Sequence, residues 1–103
     1  MSHDFTRPLI SVAEMEDYFA VHDEIAVRHG RLVKAIAMSN REYCARHAQL
    51  SAHHTMVAPS GCMKIYHGYL VVRNVGTAEQ FETWIPDDAF AAMYARAEPA
   101  PTP

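Results

Sequence analysis

From Tyr69 to Ile85 three kinds of local signal agree, and they constrain the fold more than any other part of the chain. Tyr69-Leu70-Val71-Val72-Arg73-Asn74-Val75 is β-branched, aromatic and almost continuously apolar, which suits a strand covered on both faces. Val75-Gly76-Thr77-Ala78 supplies a turn in which Gly76 is free to take positive φ. From Gln80 to Ile85 polar and apolar residues alternate, placing Phe81, Thr83 and Ile85 on one side of a strand and Gln80, Glu82 and Trp84 on the other. A hairpin with one buried face is expected. Pro86 ends it, and Asp87-Asp88 stand where a helix N-terminus favours carboxylates. Phe90, Met93, Tyr94 and Ala97 recur at helical spacing, so a short helix should fold back on the sheet, with Leu70, Val72, Phe81, Ile85 and Phe90 anchoring the core.

Upstream, the segment Met1 to Arg7 is polar and expected to be loose, and Pro8 leads into Leu9-Ile10. Ser11-Val12-Ala13-Glu14 matches a capping box, and Val12, Met15, Phe19, His22, Ala26 and His29 form a helical stripe widened by Tyr18 and Ile25. This predicts an amphipathic helix stopped at Gly30 and docked through Met15, Phe19 and Ala26. Its outer face carries Glu14, Asp17 and Glu24 in one line, for which helix-dipole stabilisation and pairing with Arg28 are a sufficient structural reason. Residues 31–38 suit either a strand or a second helix, and their position after a glycine stop favours the strand. Ser39-Asn40-Arg41-Glu42 is a second capping box, opening a helix from Asn40 to Leu50. Thr55–Ala58 and Cys62–Tyr66 are short strand candidates separated by a Pro59-Ser60-Gly61 turn. The expected fold class is α+β: an N-terminal amphipathic helix, a small antiparallel sheet centred on the 69–85 hairpin, and a short C-terminal helix. Residues 1–97 make a single domain and 98–103 a mobile proline-rich tail.

Half of the 103 residues are hydrophobic, which makes the chain globular, yet no apolar run approaches the roughly 20 residues that span a bilayer. With no signal-peptide pattern at the start, a bacterial cytoplasmic location and no membrane partner are expected, and Cys44 and Cys62 read as free thiols, a bridge being the alternative. Between Arg28 and Arg73 lie seven basic residues and one acid, Glu42, while acids dominate both flanks; acidic ends folding against a basic middle account for this.

Cys44, His47, His53, His54, Cys62 and His67 suggest a zinc site, with Cys44, His47, Cys62 and His67 as the best set. The second tight ligand pair of zinc ribbons is missing, so neither metal nor any other cofactor is expected. Cys44 and His47 are poorly placed as a catalytic pair within one helix, no nucleophile elbow frames Ser60, and the glycines are too scattered for a phosphate loop. An enzyme is therefore not expected. Arg41, Arg46, Lys64 and Arg73, interleaved with Tyr43, Tyr66 and Tyr69, have the composition of a base-stacking surface, but a pI near 6.1 and the lack of an RNA-binding or helix-turn-helix signature argue against a nucleic-acid partner.

Met63-Lys64, Gly68 to Val75, Gln80-Phe81, Ile85-Pro86-Asp87, Phe90 and Tyr94 resemble the C-terminal module of a group of short phage and prophage proteins. That module reads M-K-x-x-x-G-D-Y-L-V-x-x-V, a glycine turn, an aromatic strand, and P-x-x-x-F-x-x-x-Y. The likeness covers about a third of the chain; His67 stands where a proline is usual, and the acid after Gly68 is missing. The resemblance implies a compact β-rich fold and a phage setting, without an assigned chemistry. Small size and the lack of a catalytic set then favour a protein-interaction module that binds and inhibits a host protein such as a CRISPR-type defence nuclease complex. The expected contact residues are Glu14, Asp17, Tyr18 and Glu24 against a basic surface, with Glu82 and Trp84 as the next candidates. The alternatives are a zinc-stabilised nucleic-acid-binding module and a structural or homo-oligomeric virion component.

Overall fold

The expected hairpin forms. In the computed structural model, which describes residues 7–96, strands β3 (Gly68–Arg73) and β4 (Phe81–Pro86) pair antiparallel with Tyr69 opposite Ile85 and Val71 opposite Thr83. Residues 1–6 of the expected loose start, Ala97 and the proline-rich tail lie outside the described residues, and Arg7, expected to be loose, opens a 3-10 turn over Arg7–Leu9. Asn74 (φ 54°) and Gly76 (φ 80°) take the left-handed turn between the strands, and the Gly76 N–H donates to Gln80 Oε1 at 2.9 Å. Strand β2 (Leu32–Ala37) pairs with β3, β1 (Glu16–Ala20) with β2, and β5 (Tyr94–Arg96) with β1, all antiparallel. The resulting sheet of five strands has the order β4-β3-β2-β1-β5. The hairpin is thus one edge of the sheet rather than its centre, which is β2, the strand favoured for residues 31–38.

The N-terminal amphipathic helix is replaced by three elements. Residues Val12–Glu14 form a 3-10 turn, Glu16–Ala20 the strand β1, and Asp23–His29 the helix α1. Ser11 makes no side-chain cap, so the sequence of a capping box is present without its hydrogen bonds. The strand prevails because β2 and β5 supply ladder partners on both of its edges while period-two alternation turns Tyr18 and Ala20 inward. Phe19, an expected docking residue, consequently faces the other way and is 36% exposed. Gly30 does stop α1: its φ is 89° and its N–H donates to Ala26 O at 2.8 Å.

Helix α2 (Asn40–Leu50) opens on a complete capping box, the Glu42 N–H donating to Ser39 Oγ at 3.1 Å and the Ser39 N–H to Glu42 Oε1 at 2.9 Å. Helix α3 (Asp87–Met93) starts at the two aspartates as expected. Of the two strand candidates between α2 and β3, the first reduces to a single parallel bridge, Met56 to Glu82, and the second, Cys62–Tyr66, is loop.

Both faces of the sheet are packed. On one, Tyr18, Ala20, Val33, Ala35, Val71 and Ile85 meet Phe90, Tyr94, Ile25 and Ala26, and Tyr69 stacks on Phe90 with ring centroids 4.0 Å apart. On the other, Leu70 and Val72 pack with Met15, Met38 and Tyr43, flanked by Ile36, Met56 and Trp84. Strand β3 is therefore buried from both sides, as its unbroken apolar run demands. Strand β4 departs from the expected single buried face: Phe81 is only half-buried, whereas Glu82 is 1% exposed, because α2 lies over its side and brings Arg46 to it. Among the described residues, no helix is long and apolar enough to cross a membrane.

Candidate interaction surface

The buried ion pair fixes how α2 sits. Arg46 Nε donates to Glu82 Oε1 at 2.6 Å and Nη2 to Oε2 at 3.2 Å, while Arg46 Nη1 donates to the carbonyls of Pro8 and Ile10 at 2.9 and 2.7 Å. His54 Nδ1 lies 2.7 Å from Glu82 Oε2. One guanidinium thus ties the N-terminal segment, α2 and β4 together, donating to both oxygens of the Glu82 carboxylate. Nearby, the Tyr43 hydroxyl donates to the Val57 carbonyl and lies 3.4 Å from the Glu82 carbonyl. Burial, reinforced by the Glu82 carboxylate and opposed by Arg46, pushes the Tyr43 hydroxyl up to about 12, so it stays protonated and able to donate.

These anchors hold one end of the segment between α2 and β3, residues 51–67, which is longer than the about 12–15 residues beyond which unstructured connections are uncommon and often functional. Its second half is fastened to the first turns of α2. The buried Asn40 side chain donates to Lys64 O at 2.7 Å and Gly61 O at 3.1 Å and accepts from the Tyr66 N–H at 2.7 Å, and the Asn40 N–H donates to Tyr66 O at 3.1 Å. Cys44 and Cys62 form a disulfide that closes the same loop on α2, which corrects the expectation of free thiols. Their Cα atoms are 6.3 Å apart, within bridging reach, a proximity that an 18-residue separation in sequence does not reveal. As a disulfide they offer no thiolate, so the zinc set loses both of its sulfur ligands; among the described residues no group of three or more histidine, cysteine or acidic side chains is placed to hold a metal.

The fastened loop presents a group of large apolar side chains outward. Met63 is 94% exposed, Ile65 61% and Tyr66 55%, with Val57 half-exposed beside them. Between this loop and β4 runs a groove of about 550 Å³, walled by Val57, Pro59, Met63, Tyr66 and Trp84, with Lys64 at its rim. Trp84 forms its rigid floor: the indole Nε1–H donates to Met38 O at 2.8 Å, and the ring lies so close to Gly68 that a Cβ there would stand 2.4 Å from Cζ2.

The acidic residues singled out from the sequence do not meet on one helix. Glu14 lies in the 3-10 turn, Asp17 on β1 and Glu24 on α1. Alternation turns Asp17 to the sheet face opposite the one where α1 packs on Tyr18, and its carboxylate pairs with Lys34 at 2.8 Å. Tyr18 is core, its hydroxyl pKa raised first of all by burial, and Glu82 is internal; of the six expected contact residues only Trp84 borders the groove. The basic-aromatic set is likewise dispersed, since Arg46, Arg73 and Tyr43 are buried and Tyr69 is stacked on Phe90, leaving Arg41, Lys64 and Tyr66 outward. Val57, Met63, Ile65 and the organising Asn40 were not legible as a group. The available signal was a cluster of large apolar residues, Met63, Ile65 and Tyr66, in a stretch that a cysteine and the asparagine in the first turn of α2 tie down. Comparison with family models, with curated proteins and with solved structures finds no match for this chain.

Proposed function

We propose that this is a protein–protein interaction module that binds through the 57–66 loop and the groove beside Trp84. The observation that carries the reading is the combination of exposure and fixation: Met63, Ile65 and Tyr66 face outward on a backbone held by the Asn40 hydrogen bonds and the Cys44–Cys62 bridge. An apolar cluster of this kind marks a binding site, and a loop already held in place loses little conformational freedom on association. Tyr66 and Trp84 supply the aromatic anchors on which binding energy concentrates. The resemblance to short phage proteins adds a setting to this reading, in which the partner is a host protein such as a defence nuclease complex. A basic partner surface, as first expected for an acidic helix face, is not required by the groove.

The test is affinity capture from bacterial lysate, identification of the retained protein, and titration of the purified pair. Met63→Asp and Tyr66→Asp should each weaken binding by about 30-fold, the about 2 kcal/mol that defines a hot spot. Lysine at Glu14, Asp17 and Glu24 together should leave it unchanged. Folded Asp variants that bind with full affinity, or a triple lysine variant that does not bind, would return the contact surface to the acidic residues.

A further inference from the structure

The outer edge of β4 is covered only in part, and the reason is chemical. Glu82 turns its main-chain groups away from β3 toward residues 55–57: its N–H donates to Thr55 O at 2.9 Å and its C=O accepts from the Val57 N–H at 2.8 Å. This is the start of a parallel ladder. Continued by one step, it would send the Trp84 N–H to the Val57 carbonyl and the Trp84 C=O to the N–H of residue 59. Residue 59 is proline and has no N–H, and the Val57 carbonyl accepts the Tyr43 hydroxyl instead. The chain's own strand stops there. Val71 lies opposite Thr83 and Tyr69 opposite Ile85 in the β3 ladder, so Trp84, like Glu82, directs its N–H and C=O outward. Among the described residues neither group meets a hydrogen-bond partner, and Trp84 lines the groove together with Val57, Met63 and Tyr66.

We propose that the groove receives an extended segment of a partner protein, which adds to β4 as a strand at Trp84 and takes up the ladder that Pro59 terminates. This rests on the interaction-surface reading above and specifies its mode. Main-chain bonds to Trp84 hold the segment, and alternate side chains point into the apolar space beside Val57, Met63 and Tyr66. The charges at the two borders set its chemistry. Lys64 lies on the loop wall, and Asp87 and Asp88, both exposed, line the adjoining surface past Pro86. The fitting occupant is apolar at alternate positions, acidic where it passes Lys64 and basic where it passes the two aspartates.

The experiment selects linear dodecapeptides from a random displayed library on the oxidised protein, then measures amide exchange at Trp84 with and without each winner. The expected winners alternate apolar β-formers with polar residues, slow Trp84 amide exchange at least tenfold at saturation, and lose at least tenfold in affinity when the residue whose N–H meets the Trp84 carbonyl is N-methylated. Winners weakened by Met63→Asp or Tyr66→Asp that leave Trp84 exchange unchanged overturn strand addition while the interaction surface stands. Winners indifferent to both substitutions overturn strand addition and the surface together. Failure to select any linear peptide also overturns strand addition. Trp84 protection that appears without peptide and grows with protein concentration assigns the edge to a second copy of this chain and overturns the partner segment.

Discussion

Replacing Glu82 by glutamine should be the most informative single change in the fold, because it keeps the shape of the side chain and removes only its charge. In the native protein Glu82 and Arg46 are 1% and 0% exposed, and the carboxylate meets Arg46 Nε at 2.6 Å, Arg46 Nη2 at 3.2 Å and His54 Nδ1 at 2.7 Å. In Glu82→Gln one of these oxygens becomes an NH₂ that faces a donor, and the guanidinium is left buried with two backbone carbonyls and no counter-charge. Breaking a buried pair from one side costs about 3–5 kcal/mol, a large share of the about 5–15 kcal/mol that holds a domain together. Urea titration followed by circular dichroism, extrapolated to water, measures this directly, and an unchanged slope would confirm that the unfolded reference is the same. The double variant Arg46→Met/Glu82→Leu should recover part of the loss, since it buries no unpaired charge, but not all of it, because the bonds of Arg46 to Pro8 and Ile10 go with it. A Glu82→Gln loss below about 1 kcal/mol, the range of exposed pairs, would refute the burial argument.

Gly68→Ala should displace the indole of Trp84, since a Cβ at Gly68 would lie 2.4 Å from Cζ2 and 2.5 Å from the Ile85 carbonyl; a shifted tryptophan emission and a loss of about 1–3 kcal/mol or more are expected. Asn40→Ala should lower stability by about 1–3 kcal/mol through loss of its loop bonds, with faster amide exchange at Tyr66 as the local signature. The Cys44→Ala/Cys62→Ala pair should lose about 2–4 kcal/mol in the same titration. His29 has its pKa lowered, first by burial and then by Arg73 and Arg28, so the folded state binds fewer protons than the unfolded; stability should fall as pH drops below the ordinary value of 6.5, and His29→Gln should flatten that acid limb. Tyr43, raised from 10.0 to about 12, works in the opposite sense, contributing stability that is full below about pH 10 and lost as pH climbs toward 12, a loss that Tyr43→Phe should abolish.

The elements readable from the sequence are those whose signals are local. The β3–β4 alternation, the Ser39–Glu42 box of α2, the Asp87 start of α3 and the Gly30 stop each lie within a few residues of the structure they specify. The N-terminal segment misleads because Met15, Phe19 and Ala26 fit a helical period by coincidence, no glycine or proline breaks the run between Glu14 and Asp23, and the strand that prevails draws its partners from residues 32–35 and 94–96. Glu82 reads as a solvent residue because its counter-charge is 36 positions upstream on another element. The interaction surface was illegible for the same reason: a groove is made by Trp84 meeting a loop bridged to α2, and neither part alone shows an apolar concavity.

The pairing of β1 with β5 has a consequence for how the chain is made. During synthesis β1 gains β2 within about a dozen further residues, but its outer edge has no partner until Tyr94–Arg96 appear. At about 5–20 residues per second, the interval from Ala20 to Arg96 is on the order of 4–15 s. Over that time an unpaired edge would recruit strands from neighbouring nascent chains. Glu16 and Asp17 open this strand, and like charges on two such edges repel, which disfavours that recruitment before Lys34 and Arg96 take up the two carboxylates.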